Sequence, residues 1–344
     1  MTRHLVARLD NVGDVLLAGP AVRAVAASGG PVTFVAGPRG AAAAALLPGV
    51  DEVVVLDAPW VPFDPAPVDA VALGAFVDAI AGRRVEDAVV LTSFHQSPLP
   101  LALLLRQAGV ARIAATCVDH PGSLLDVRHP YLAQLHEVEQ SLSLCAAAGH
   151  RLPDGDDGRL LVDLPPAAVE LPAAPYVVVH PGASVPARAL PVGAAAATVD
   201  ELARRGAHVV VTGSDGEAPI VAAVAGPPGR PRVEVRTGGD LAGFAHLLAG
   251  AAAVVCGNTG PAHLAASVGT PVVEAFAPVV APHRWHPWGV PHALLYDARV
   301  PCAGCRAREC PVPGQPCLEP FTPAAVVEAL GRLGTLEAFG EVAA

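Results

Sequence analysis

Four stretches of this 344-residue chain set polar residues just after runs of β-branched ones, where a strand must end and a helix begin. In RLDNVGDVLLAGPAVRAV (8–25), Gly13 and Asp14 stand at the turn into an apolar helix. An acid there caps the helix and suits its dipole. It could equally take a proton from a substrate, because the loop after the first strand of an open α/β domain faces the ligand crevice. VVVHPGASVPARALP (177–191) carries His180, Ser184 and Arg188 in a Pro- and Gly-rich loop; Arg188 suits a diphosphate or bulk solvent. VVVTGSDGEAP (209–219) places Glu217 at a helix start, to bind a ribose diol or to favour the helix N-terminus. VVCGNTGPAHLAASVGTPVV (254–273) runs from strand through Asn258 and Thr259 into a helix opening at Gly260-Pro261, with His263 in its first turns. Backbone N–H groups and a hydroxyl at such an end suit a phosphate. The alternative is an ordinary turn capped by Asn258 or Thr259. Together the four loops describe a nucleotide diphosphate held in the second half of the chain and a reacting group approached by Asp14 from the first.

The elements that must carry these loops are visible in the pattern. Short β-branched runs alternate with helical stretches over 14–27, 38–47, 68–83 and 98–109, then again over 192–205, 217–225, 241–250 and 260–269. Such alternation predicts βαβ units around parallel sheets buried on both faces. The expected organisation is an N-terminal Rossmann-like domain over 1–160 and a linker over 161–175, within the stretch 151–175 that is studded with Pro, Gly and Asp. A C-terminal Rossmann-like domain follows over 176–321, and a helix over 322–344 has the option of packing back toward the N-terminal domain. Two such domains are expected to face a central cleft, with ligands at the carboxyl ends of both sheets.

Composition narrows the classes of function. All 22 basic residues are Arg and the net charge is −10, which argues against nucleic acid or an anionic membrane surface as partner. MTRHLVARLD enters a strand without a signal-peptide pattern, and no segment is long and apolar enough for a membrane span, so a cytoplasmic location is expected. Of seven Cys, three (Cys117, Cys145, Cys256) read as core thiols. Cys302, Cys305, Cys310 and Cys317 form a C-x2-C-x4-C-x6-C array within 302–317 that could ligate a structural zinc, although reduced thiols or redox-labile disulfides are the preferred reading.

On these motifs the sequence resembles glycosyltransferase family nine, typified by ADP-heptose:lipopolysaccharide heptosyltransferases. RLDNVGDVLLAGPAVRAV looks like the family's opening strand and Gly-Asp turn. VVHPGA with ARALP resembles the entry to its second lobe, and TGSDGE and GNTGPAHLAASVGTPVV resemble its nucleotide motifs. The resemblance implies a GT-B fold and inverting transfer with no required metal or other cofactor. The implied substrates are a nucleotide-sugar donor, commonly ADP-heptose, and a hydroxyl acceptor on a glycan or small-molecule glycoside. By the same resemblance Asp14 is the general base and Arg188 contacts the diphosphate as its catalytic partner. Glu217 binds the ribose, and Gly13, His180, Ser184, Thr259, Gly260 and His263 belong to the donor-binding set. Asn258 departs from the family's usual Asp. A catalytically inactive nucleotide-sugar-binding protein is the alternative that this departure raises, and a monomer is expected.

Overall fold

The computed structural model describes residues 1–167, 169–173 and 175–339. The chain divides into two compact units, Met1–Asp163 and Leu164–Ala344. The first holds strands β1 (His4–Arg8), β2 (Val32–Ala36), β3 (Glu52–Val55), β4 (Asp87–Val90), β5 (Arg112–Thr116) and β6 (Val127–His129). The second holds β7 (Tyr176–His180), β8 (His208–Gly213), β9 (Val233–Thr237), β10 (Ala253–Gly257), β11 (Val272–Ala275) and β12 (His292–Leu295). Each unit builds one six-stranded, wholly parallel sheet. The orders are β3-β2-β1-β4-β5-β6 and β12-β11-β10-β7-β8-β9.

Both orders are the same doubly wound arrangement. The first strand of each unit lies beside the fourth, and connections on either side of that pair run in opposite directions. The crevice where such sheets bind ligands therefore lies at the carboxyl ends of β1 and β4, and of β7 and β10. Burial of the central strands fixes this topology. Every residue of β1, β2, β7 and β10 is buried, as their Val- and Ala-rich composition requires of strands covered on both faces.

The structure amends the expected elements. The helix expected over 14–27 is two helices, Val12–Leu17 and Gly19–Ala26, because Pro20 cannot donate a backbone hydrogen bond to a continuing helix. The stretch 38–47 forms a single helical turn, Ala41–Ala44. The edge strands β6 and β12 and the helix Glu137–Ala147 were not expected. Each edge strand has three or four residues and few β-branched side chains, too weak a signal to stand out. The C-terminal helix expected over 322–344 is confined to Pro323–Arg332, with a short 3₁₀ turn at Leu336–Phe339. Its Val326, Ala329 and Leu330 join Val199 and Leu202 in the second unit's own core, and 340–344 lie outside the described residues. Among the described residues no helix is long and apolar enough to cross a membrane.

Candidate functional site

In the second unit, three of the four sequence-predicted loops converge on the ends of β7, β8 and β10. Arg188 closes a 3₁₀ turn, Pro186–Arg188, that lies directly over the end of β10. A Cβ on Gly257 would sit 1.9 Å from the Arg188 carbonyl oxygen, so only glycine permits this approach. The turn is held from outside by the Cys-rich segment. Ala187 N–H donates to the Arg308 carbonyl (2.8 Å) and Gln315 Nε2 donates to the Ala187 carbonyl (2.7 Å). Next to it, the N-cap residue Thr259 makes no side-chain cap hydrogen bond to the helix Gly260–Ser267, so half-buried Thr259 and Gly260 present its positive end to whatever lies above.

A polar row crosses the sheet beneath these loops. Thr212, His180, Cys256 and Glu274 occupy neighbouring positions on β8, β7, β10 and β11. His180 Nδ1 and Thr212 Oγ1 are hydrogen-bonded at 3.0 Å, and His180 Nε2 is 3.8 Å from Glu217 Oε2. Burial holds His180 below its usual value against the pull of Glu217, which keeps the ring neutral near pH 7. Glu274 is fully buried, and among the described residues neither of its oxygens has a hydrogen-bond partner. Burial drives its carboxyl well above the carboxylate range, with Arg188 opposing. His263 is also buried, and burial, His286 and Arg188 together lower it to about 4.

Glu217 Oε2 accepts from the backbone N–H and the hydroxyl of Ser214, both at 2.8 Å, so this oxygen completes a capping box. Asn258 is buried and clamps the backbone of Ala277. Its Nδ2 donates to the Ala277 carbonyl and its Oδ1 accepts the Ala277 N–H, both at 3.1 Å. Aspartate could make only the second of these bonds, which gives the departure from the family pattern a structural reason. Ser184 is exposed in its loop. A cavity of about 460 Å³ opens at the ends of β8 and β9, lined among others by Thr212, Thr237, Gly239, Asp240 and Phe244. It falls within the size range of small-molecule sites.

In the first unit, Asp14 lies in the first turn of Val12–Leu17 beside buried Gly13. It accepts no backbone hydrogen bond among the described residues, so the capping role is not realised. Its Oδ1 accepts from Arg8 Nη2 at 3.0 Å, and its side chain stays 19% exposed. Arg8, the last residue of β1, is buried. Its Nη2 donates to Ser93 Oγ (2.9 Å), its Nε is 2.6 Å from Asp10 Oδ2, and its Nη1 is 3.7 Å from Glu137 Oε2. Burial lowers the affinity of Arg8 for its proton, but Asp10, Asp14 and Glu137 outweigh that and raise it. Burial, with Asp14, pushes the Asp10 carboxyl up against the pull of Arg8. Sequence reasoning missed Arg8, Asp10, Ser93 and Glu137. The signal for the first two was present in RLD, where charges interrupt the end of an otherwise apolar strand.

Two clusters could hold a metal. The four tail cysteines line a small apolar cavity of about 20 Å³ as free thiols. Among the described residues, however, the ligand atoms that come within 4.8 Å of one another as a group of three belong to His4, Asp87 and His150 and to no cysteines. The zinc array that the spacing allowed is therefore not gathered at ligand distance. The His4–Asp87–His150 group sits at the opposite, amino-terminal end of the first sheet. His4 Nδ1 (3.1 Å) and His150 Nε2 (2.8 Å) both bond Asp87 Oδ2, while Arg112 bonds Oδ1 (3.1 Å). Burial opposes ionisation of Asp87, but His150, His4 and Arg112 hold it below its usual range. These are the bonds of a buried ion-pair network.

Over residues 97–315 the chain matches the family model described as glycosyltransferase family 9 (heptosyltransferase). The protein belongs to glycosyltransferase family 9. Solved structures of the same fold include a family 9 glycosyl transferase from Veillonella parvula. It has 16% identity and a TM-score of 0.77, covering 98% of this chain and 97% of that one. Escherichia coli ADP-heptose lps heptosyltransferase II has 20% identity and a TM-score of 0.74, covering 98% and 99%. E. coli heptosyltransferase WaaC with ADP-2-deoxy-2-fluoro heptose has 21% identity and a TM-score of 0.72, covering 96% and 99%. A search of curated proteins finds no match. The protein is a heptosyltransferase-like glycosyltransferase, and its two doubly wound units are those of the GT-B fold.

Proposed function

We propose that this family 9 enzyme transfers a heptose from ADP-heptose to an acceptor hydroxyl with inversion at the anomeric carbon. The second unit binds the donor, with the Arg188 turn and the uncapped start of Gly260–Ser267 on the diphosphate and the cavity at β8 and β9 receiving the nucleoside. As the glycosidic bond to phosphate breaks, negative charge grows on the leaving diphosphate, where the Arg188 guanidinium and the helix end stabilise it. Asp14 takes the proton of the attacking hydroxyl, whose oxygen forms the new bond to the anomeric carbon; the products are the glycoside, ADP and protonated Asp14. None of these steps calls for a metal ion, and cytoplasmic work suits seven free cysteines.

The observation that carries the reading is the placement of Arg188 over the end of β10, beside an uncapped helix N-terminus. The neighbouring solved structures named for ADP-heptose point to the same donor. The inactive-binder alternative rested on Asn258, and the clamp to Ala277 gives that residue a structural role. Thermal stabilisation by ADP-heptose against GDP- and UDP-sugars tests the donor. A ligand at 100 times its dissociation constant should add about 2.7 kcal/mol. Preference for a GDP- or UDP-sugar would reject the ADP-heptose reading, and a product of retained configuration by NMR would reject inversion. Asp14→Asn should slow turnover roughly 100- to 10,000-fold with ADP affinity nearly unchanged. Near-normal turnover by that folded variant would remove Asp14 as base.

A further inference from the structure

We propose that Arg8 is the positioning residue for Asp14: its guanidinium, locked by Ser93 and Asp10, aims the carboxylate at the acceptor hydroxyl. The inference rests on the reading of Asp14 as base and goes beyond it to the group that orients that base.

The geometry leaves the guanidinium little freedom. Arg8 closes β1 and is buried, paired in register with Ala36 of β2. Its side chain reaches across the β1/β4 junction to Ser93, which follows β4. Nη2 is shared between Ser93 Oγ and Asp14 Oδ1, and Nε faces Asp10. Asp10 is itself held, by Ser93 Oγ at 3.3 Å and Gln96 Nε2 at 2.5 Å. The planar fork sets Nη2 on two oxygens while Nε lies against Asp10 as a close ion pair without a hydrogen bond, whereas a lysine ammonium is a point charge on a flexible stem and cannot meet all three partners. Among the described residues the oxygen of Asp14 that Arg8 engages is Oδ1, and Oδ2 carries no protein hydrogen bond. Arg8 thus fixes the carboxylate by one oxygen and leaves the other for substrate.

Stability alone does not call for this arrangement. A buried cation facing three carboxylates incurs a large desolvation cost, and apolar side chains of similar volume often fold as well or better. The cluster also sits at the strand junction where the fold binds ligands, on the turn that carries the proposed base. A side chain locked from several directions is what a base needs if it is to meet a hydroxyl at hydrogen-bond distance.

The test measures ADP release from ADP-heptose with water as acceptor, alongside calorimetric titration with ADP and thermal melting. Arg8→Lys keeps the charge and loses the fork. It should lower kcat about 10- to 100-fold while KM for ADP-heptose and Kd for ADP stay within about twofold. Millimolar guanidinium should restore part of the rate to Arg8→Ala, and urea should not. A folded Arg8→Lys enzyme with wild-type kcat would overturn the proposal. Should Arg8→Lys not fold, Ser93→Ala decides: a fall of roughly 3- to 10-fold in kcat alone supports it, and unchanged kcat overturns it. Asp14→Asn serves as the reference. A fast Asp14→Asn enzyme sinks the base and the positioning role together; a slow one beside a fast Arg8→Lys sinks the positioning role by itself.

Discussion

Adding one methyl group at Gly257 should disable the proposed donor site by displacing Arg188, with no residue proposed to meet the donor itself replaced. The new Cβ would lie 1.9 Å from the Arg188 carbonyl oxygen and 3.2 Å from its carbonyl carbon. Both are backbone atoms, so no side-chain rotation relieves the clash. Bringing the contact to an ordinary distance displaces the Pro186–Arg188 turn by roughly 1 Å, and misplacement of that size costs about 100-fold in rate. Overpacking at the end of β10 should cost roughly 1–3 kcal/mol of stability besides. The assay is kcat/KM for ADP-heptose by ADP release, with urea unfolding to confirm that Gly257→Ala is folded. The decisive measurement is the double mutant. If Gly257→Ala acts by moving Arg188, adding it to Arg188→Ala should cost little more, because both changes remove the same interaction. Fully additive losses, or a folded Gly257→Ala with unchanged kcat/KM, would refute the reasoning.

Further outcomes follow from particular contacts. Asn258→Asp should cost about 1–3 kcal/mol in urea unfolding, since a carboxylate faces the Ala277 carbonyl where an amide had donated; an equally stable variant would show the clamp is dispensable. His263, lowered to about 4 from a usual 6.5, is neutral in the folded state where the unfolded chain binds a proton. Its contribution is therefore complete above pH 6.5 and is lost as pH falls toward 4, up to about 3 kcal/mol. His263→Gln should flatten that acid slope, and an unchanged slope would place its cause elsewhere. Chelation should leave ADP release intact, and elemental analysis showing one metal per chain bound through the tail cysteines would contradict the free thiols seen at 302–317.

How legible all this was in the sequence depended on the length of each signal. The central strands were plain because each is a run of buried apolar residues bounded by turn chemistry, as in HLVAR and AVVCG. The edge strands β6 and β12 were hidden because three- or four-residue segments with one β-branched residue or none do not rise above loops. Helix Glu137–Ala147 did announce itself, in HEVE: His136 caps Val138 N–H at 3.1 Å and Glu139 returns to the His136 N–H at 2.9 Å. Histidine is not among the residues one looks for in that box, so the signal went unread. Candidate residues on the loops stand out by their type. Their neighbours do not, because Asp14 meets Ser93 through Arg8, across 85 residues between Arg8 and Ser93, and no local pattern encodes that pairing.

The two units share one strand order and put it to opposite electrostatic use. At the β1/β4 junction the chain gathers Asp10, Asp14 and Glu137 around Arg8. At the β7/β10 junction it gathers Arg188, neutral His180 and His263, and the positive end of Gly260–Ser267, while Glu274, which Arg188 acts on, is driven toward its neutral form by burial. The proposed roles follow these charges. A diphosphate brought to the first junction would meet the carboxylates around Arg8, whereas at the second it would meet a cation and a helix dipole beside a carboxyl that burial drives toward its neutral form. A hydroxyl losing its proton needs the reverse, a carboxylate held in place by a neighbour that is never itself a proton acceptor, and Arg8 has that property because its guanidinium stays charged. The chemistry of each half is thus set by which charges the turns after its first and fourth strands bring to the crevice, on a scaffold that is otherwise the same.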